Sequence, residues 1–188
     1  MLKTARQNAV MMGKDTLSAP LAECYITIGG RRYNFMQAID LEAKFKKIKT
    51  KVPILGNPGK GNKANGWEGS GSATFHYNTS IFRKMMLDYK DTGEDTYFEI
   101  QIANEDPTSS VGRQEIVLLG CNIDGGILAK FDADGEYLDE DMDFTFEDFT
   151  MPSTFRDLEG FLMSDGGEPI QDDEQIQRAA PGEHIQRG

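Results

Sequence analysis

Residues 24–35 read Cys24-Tyr25-Ile26-Thr27-Ile28-Gly29-Gly30-Arg31-Arg32-Tyr33-Asn34-Phe35. Cys24, Ile26 and Ile28 alternate with Tyr25 and Thr27, the period of a half-buried strand. Gly29-Gly30 supplies two residues free to adopt positive φ, as a tight primed hairpin turn requires. Tyr33 and Phe35 open the return strand. The same period continues along the chain. Ile39, Leu41, Ala43 and Phe45 alternate with Asp40, Glu42, Lys44 and Lys46, which predicts a long strand with a charged outer face. Ala73, Phe75 and Tyr77, then Phe98, Ile100 and Ile102, repeat the pattern, and Met142, Phe144 and Phe146 alternate with Asp143, Thr145 and Glu147. Ile116–Ile123 is apolar on both faces and should be covered on both sides. Ile127, Ala129 and Phe131 predict a further short strand. The period switches once: Ile81, Phe82, Met85, Met86 and Tyr89 form a helical stripe, with Asn78, Thr79 or Ser80 to cap its start and Gly93 after its end. Seven or eight strands and one helix predict a mainly β fold, an antiparallel barrel or sandwich with one packed α-helix.

A length of 188 residues suits one domain. Hydrophobic content is 38%, below the globular average of about 45–50%, and there are 20 glycines. Part of the chain should therefore be loop or tail. Residues 1–20 are weakly patterned and predict an N-terminal arm. Residues 21–161 carry the β domain. Residues 162–188 are polar and acidic, too poor in apolar side chains to offset their ordering entropy, and predict a tail. Residues 50–72, TKVPILGNPGKGNKANGWEGSGS, predict a long loop, and loops of this length inside a domain are usually functional. Residues 103–113 predict a second loop.

The two cysteines, Cys24 and Cys121, are too few for a disulfide framework. Both lie in apolar stretches and read as small buried hydrophobes. His76 and His184 do not complete a zinc site. No stretch approaches the ~18 apolar residues of a membrane-spanning helix, so no membrane anchor is expected. The N-terminus lacks the apolar run of a signal peptide, which predicts assembly in a reducing cytoplasm.

The net charge is −11, which disfavours binding to nucleic acid or anionic lipid. The charge is unevenly spread. From Arg31 to Lys63 the chain carries +7, and from Asp124 to Gly188 it carries −14. Such blocks usually form solvated faces. Opposite blocks in one chain also suit head-to-tail association between copies.

Catalytic constellations do not assemble. There is no G-x-S-x-G, and Gly59-Lys60-Gly61 lacks P-loop spacing. Asp132-Ala133-Asp134-Gly135 places its glycine too early for a calcium loop and reads as a tight acidic turn. Asp139-Glu140-Asp141 offers carboxylates with nothing nearby to tune them. No enzyme and no cofactor is expected. Trp67 reads either as a packed aromatic or as an intersubunit anchor.

Several segments in order carry a resemblance. After the Ile39–Phe45 strand come Lys46-Lys47-Ile48-Lys49 and Val52-Pro53-Ile54-Leu55-Gly56. Then follow Gly66-Trp67-Glu68-Gly69-Ser70-Gly71-Ser72-Ala73-Thr74-Phe75, Met85-Met86-Leu87-Asp88-Tyr89 and Asp95-Thr96-Tyr97-Phe98. Gly112-Arg113-Gln114-Glu115-Ile116-Val117-Leu118-Leu119 and Asp143-Phe144-Thr145-Phe146-Glu147-Asp148-Phe149 complete the set. Over residues 20–155 the chain resembles the XkdM-like tail tube proteins of contractile phage tails, defective prophages and phage-tail-like bacteriocins. The resemblance implies a β-barrel or sandwich protomer, close in fold to type VI secretion tube proteins. It implies hexameric rings stacked into an inner tail tube that conducts DNA or punctures a target envelope. It also implies a tail sheath, a baseplate initiator and a tape-measure protein as partners, and a place in a virion tail or tail-like particle.

A stacking tube needs a segment that reaches the next ring. Lys51, Pro53, Ile54, Leu55, Asn57, Lys60, Lys63 and Trp67 are the candidates for that intersubunit contact. An acidic lumen lets DNA slide without sticking, and Asp40, Glu42, Asp143 and Glu147 are the lumen candidates. The alternative is a monomeric β-sandwich that binds a ligand such as carbohydrate. That reading explains the strands and Trp67 but leaves the long Gly/Pro segment and the charge separation without a role. A sheath protein or a tail terminator is a further alternative; the first would normally be much longer, and the second would form a single ring.

Overall fold

The computed structural model describes residues 11–35 and 38–156. The expected tail 162–188 and the first ten residues of the expected arm lie outside the described residues. The chain divides into two compact units: residues 22–104 with 114–154, and a smaller one described over residues 11–21, 105–113 and 155–156.

The larger unit carries the β architecture. Its strands are β1 (Ala22–Ile28), β2 (Arg31–Asn34), β3 (Ala38–Pro53), β4 (Lys60–His76), β5 (Phe98–Glu105), β6 (Arg113–Gly126), β7 (Asp139–Phe146) and β8 (Asp148–Ser153), the ends of β5 and β6 running into the smaller unit. The helix α1 spans Ile81–Thr92. The strand order is β2-β1-β5-β6-β7-β4-β3, with β8 also pairing β6. The strand pairs with resolved register are all antiparallel, and β6 belongs to two sheets. Its first half pairs β8 through Leu119, and its second half pairs β7 from Asn122. Gly120, at φ +62°, sits where the strand changes partner.

Local chemistry accounts for most element boundaries. Gly29 and Gly30 take φ of +55° and +76°, so β1 and β2 close on the expected two-residue turn. Gly93 ends α1 in the left-handed conformation, and its N–H donates to Tyr89 O at 2.8 Å. Phe82 carries the helix into the core, where its ring lies 5.5 Å from Phe35 and 5.3 Å from Phe75. Ile26, Ile100, Leu118, Cys121 and Phe144 complete a fully buried centre.

Three expectations are corrected. Residues 50–72 are not a loop. β3 and β4 run through them as paired strands, and only residues 54–59 turn. Backbone hydrogen bonds need no apolar side chain, so the ladder forms despite a composition typical of loops. The strand expected over Ile127–Phe131 is absent: Leu128 and Phe131 are 68% and 88% exposed, and no partner strand lies beside them among the described residues. The second loop is shorter than expected, because β5 continues to Glu105.

Gly69 and Gly71 make room for the core. Both face β7, and a Cβ built on Gly71 would lie 2.3 Å from Phe144 Cζ and 2.7 Å from the Glu42 carbonyl oxygen. Phe144 is fully buried and cannot move aside. Gly71→Ala should therefore destabilise the protomer by about 1–3 kcal/mol, read as a lowered denaturant midpoint at unchanged slope. An unchanged midpoint would contradict this packing.

The smaller unit is organised by one carboxylate. Asp106 is buried and accepts from the Thr108 hydroxyl at 2.6 Å, the Thr108 N–H at 2.9 Å and the Ser18 N–H at 2.9 Å. These bonds, the Thr108 hydroxyl first, hold its carboxyl well below the usual carboxylate range. A depressed folded value means the group stabilises the fold above its unfolded value and loses that contribution as the pH falls. Stability should drain away below about pH 4, and Asp106→Asn should flatten that acid limb in a pH series of thermal melts.

Candidate functional site

The feature that stands out is the outer part of the β3–β4 hairpin. β4 pairs β7 only from Gly69 to His76. Beyond Gly69 the two strands pair with each other alone as far as Pro53↔Lys60. At ~3.3 Å per residue the ribbon runs about 30 Å past its last support. A lone two-stranded hairpin is marginal in water, so a length this great calls for a partner.

Register gives the ribbon two unlike faces. Lys47, Lys49, Lys51, Pro53 and Lys60 lie on one side. Ile48, Val52 and Lys63 lie on the other, and Ile54 folds back over Gly61 beside Val52. Asn65 is the extra residue of a bulge between Ile48 and Lys49, and its Nδ2 donates to Thr50 Oγ1 at 3.1 Å. From Lys47 to Trp67 the sequence has five lysines and no carboxylate. At the tip Leu55 is fully exposed and Ile54 half exposed. Asn57 closes the turn: its N–H donates to Ile54 O at 3.2 Å, and its Oδ1 accepts from Gly59 N–H at 3.0 Å.

The eight intersubunit candidates are thus brought together on one ribbon, with Trp67 set apart at its base. Trp67 stacks on Phe45 at 4.9 Å and stands edge-on to Phe149 at 6.2 Å. Phe45 covers one of its faces, leaving the indole 37% exposed.

The lumen candidates divide. Asp40, Glu42 and Asp143 share the outer face of the sheet formed by β3, β4 and β7. Glu42 and Asp143 flank Ser72 in one cross-strand row, and Asp40 and Asp141 flank Thr74 in the next. Thr74 Oγ1 donates to Asp141 at 2.9 Å, and Lys44 pairs with Glu42 at 2.8 Å. Glu147 does not join them. β7 ends at Phe146, and Glu147 packs at the corner over Gly120, with its N–H donating to Leu119 O at 3.1 Å.

The motifs examined for chemistry take structural roles. Asp132 Oδ1 accepts from the Asp134 and Gly135 N–H groups, closing the acidic turn. No cluster of three metal-ligating side chains occurs among the described residues. Burial pushes the Cys24 thiol up to about 11 and the Cys121 thiol up to about 12, so both stay protonated and unreactive. Among the described residues no helix is long and apolar enough to cross a membrane.

Two features escaped the sequence reading. Glu140 is buried and pairs with Arg83 of α1, whose guanidinium lies 4.1 Å from the Tyr77 ring centroid. The signal was present, since Glu140 falls in register with Met142, Phe144 and Phe146 on the buried face. The other is an open groove of about 290 Å³ between α1 and β6. Met85, Met86 and Tyr89 of the helical stripe line its wall, and Tyr89 is 56% exposed there.

Known proteins with the same pattern place these surfaces in context. A family described as phage tail tube protein matches residues 9–153. The chain is 40% identical over 116 residues to the phage-like element PBSX protein XkdM of Bacillus subtilis, covering 62% of this chain and 79% of that protein. Among solved structures, a chain of the anti-feeding prophage baseplate, determined with 6-fold symmetry, shares the fold at TM-score 0.56 and 12% identity, covering 74% of this chain and 97% of that one. A chain of the PVC extracellular contractile injection system sheath–tube complex, in its extended state, also matches at TM-score 0.56, with 8% identity and coverage of 80% and 99%.

Proposed function

The chain belongs to the phage tail tube protein family, and from that premise we propose that its copies close into hexameric rings that stack into the inner tube of a contractile tail. Its role is structural. The observation that carries the assembly reading is the basic ribbon beyond Gly69, which its own chain does not support. In a stack, Lys51, Pro53, Ile54, Leu55, Asn57, Lys60 and Lys63 reach the next ring, and Trp67 anchors the ribbon's base at the subunit boundary. The face bearing Asp40, Glu42 and Asp143 lines the lumen. Glu147 stands at a corner and is left out of that lining.

The partners follow from such a tube. A sheath surrounds it and drives it on contraction, and a baseplate component starts the first ring. A tape-measure protein occupies the lumen during assembly, and DNA passes where the particle carries a genome. The acidic face suits passage because it holds no phosphate. The protomer's thiols and acidic turn serve the fold: both thiols are held protonated, and Asp132 caps its own turn. The particle assembles in the bacterial cytoplasm.

Negative-stain electron microscopy of the purified chain across a concentration series, with and without a baseplate initiator, tests this. The expected result is rings with a central hole and stacked tubes. Single particles under every condition would refute it.

A further inference from the structure

We propose that the groove between α1 and β6 receives the tip of the β3–β4 ribbon of a second copy of this chain. The inference rests on the stacked-ring reading and names the receiving surface. Met85, Met86 and Tyr89 wall the groove on the helix side, and Asn122, Ile123 and Asp124 on the strand side.

Four observations converge on this pairing. The groove's apolar half is the surface of Met85, Met86, Tyr89 and Ile123, and Leu55 at the ribbon tip is fully exposed. An isolated leucine gains by burial wherever a concave apolar wall accepts it. Asp95 and Asp124, both exposed, line the groove, and the ribbon brings Lys51 and Lys60 beside its tip with no carboxylate of their own. The Asn122 amide Nδ2 is buried and has no hydrogen-bond partner. Such a donor costs free energy until an acceptor reaches it, and the carbonyls of a docked turn supply one.

Geometry selects a second copy over the chain's own ribbon. Asn122 stands in the cross-strand row of Thr145 and Ser70. The ribbon leaves that row and ends ten residues further at Lys60, about 30 Å away. A straight ribbon cannot fold back to its own groove, whereas a neighbouring ribbon can enter it.

The test uses full-length single-cysteine additions, Leu55→Cys and Tyr89→Cys, both at exposed positions. Cys121 is buried, and Cys24, which is half-buried, is replaced by serine in both variants. The two variants are mixed, assembled and mildly oxidised, then resolved on a denaturing gel with the linkage read by mass spectrometry. The expected result is a 55–89 disulfide confined to the mixture and several-fold stronger in assembled material than in dilute protein. A second arm reverses charges. Lys51→Glu with Lys60→Glu should raise the critical concentration for assembly several-fold, and adding Asp95→Lys with Asp124→Lys should restore it. Tubes that form normally without the 55–89 linkage and without charge rescue overturn the inference. They leave the stacked-ring reading standing and free the groove for another occupant, such as a basic segment of the sheath. Single particles throughout overturn both.

Discussion

Replacing Arg83 with alanine should cost the protomer about 3–5 kcal/mol, a fall in Tm of roughly 10 °C or more for a domain of this size. The side chain is only 18% exposed, and its partner Glu140 is 5% exposed. Its guanidinium pairs with Glu140, donates to the Thr79 carbonyl and lies over Tyr77. Truncation removes all three contacts and leaves a buried carboxylate, whose Oε1 already lacks a partner, with nothing opposite. Glu140→Gln should cost less, because the cation that remains is partly hydrated and keeps Thr79 and Tyr77. The double variant Arg83→Met, Glu140→Leu should recover most of the loss, since apolar replacement of a buried pair is often close to neutral. Chemical denaturation of the wild type, Arg83→Met, Glu140→Leu and their double variant as a cycle measures the coupling directly. A single Arg83→Ala loss below about 1 kcal/mol, the range of exposed pairs, would show that α1 is held by its apolar contacts, Phe82 and Met85, rather than by the ion pair.

The second large effect is on assembly rather than on stability. Deleting residues 52–64 and joining Lys51 to Asn65 should abolish tube formation while moving the protomer's Tm by only a few degrees. The deleted part touches neither β7 nor the buried core. The separation of the two readouts is the test: sedimentation or electron microscopy reports the stack, and circular dichroism the protomer. Normal tubes from the shortened chain would refute the ribbon's role, and a collapsed protomer would show that the ribbon belongs to the fold.

The elements that announced themselves in the sequence are those where side chains dictate backbone. Gly29-Gly30 was legible because two adjacent positive-φ residues leave few alternatives. The α1 stripe was legible because Phe82 and Met85 repeat at the helical period. The ribbon was not. Its strands are stabilised by backbone pairing, and glycine, lysine and asparagine at those positions resemble a loop. Residues 127–131 failed for the opposite reason. Their alternation is real, but among the described residues no strand lies alongside to pair with them, and Lys130 instead bonds the Asp139 carbonyl and side chain. The Arg83–Glu140 pair joins residues 57 positions apart, a proximity that a period can suggest only on one side. Of the site, the ribbon residues could be named but not their two faces, and the lumen candidates could be named without the strand end that separates Glu147 from the rest.

A ribbon that is marginal on its own also sets a clock on polymerisation. Each incoming copy must immobilise two strands before it gains the contacts that reward doing so, and coupled ordering of this kind consumes part of the binding free energy. The first ring bears that cost with no existing surface to dock on, whereas every later ring meets a waiting one. Nucleation is thereby slow and elongation fast. In a stack of rings built this way, free subunits would remain apart, and growth would be confined to wherever a ready-made first surface exists.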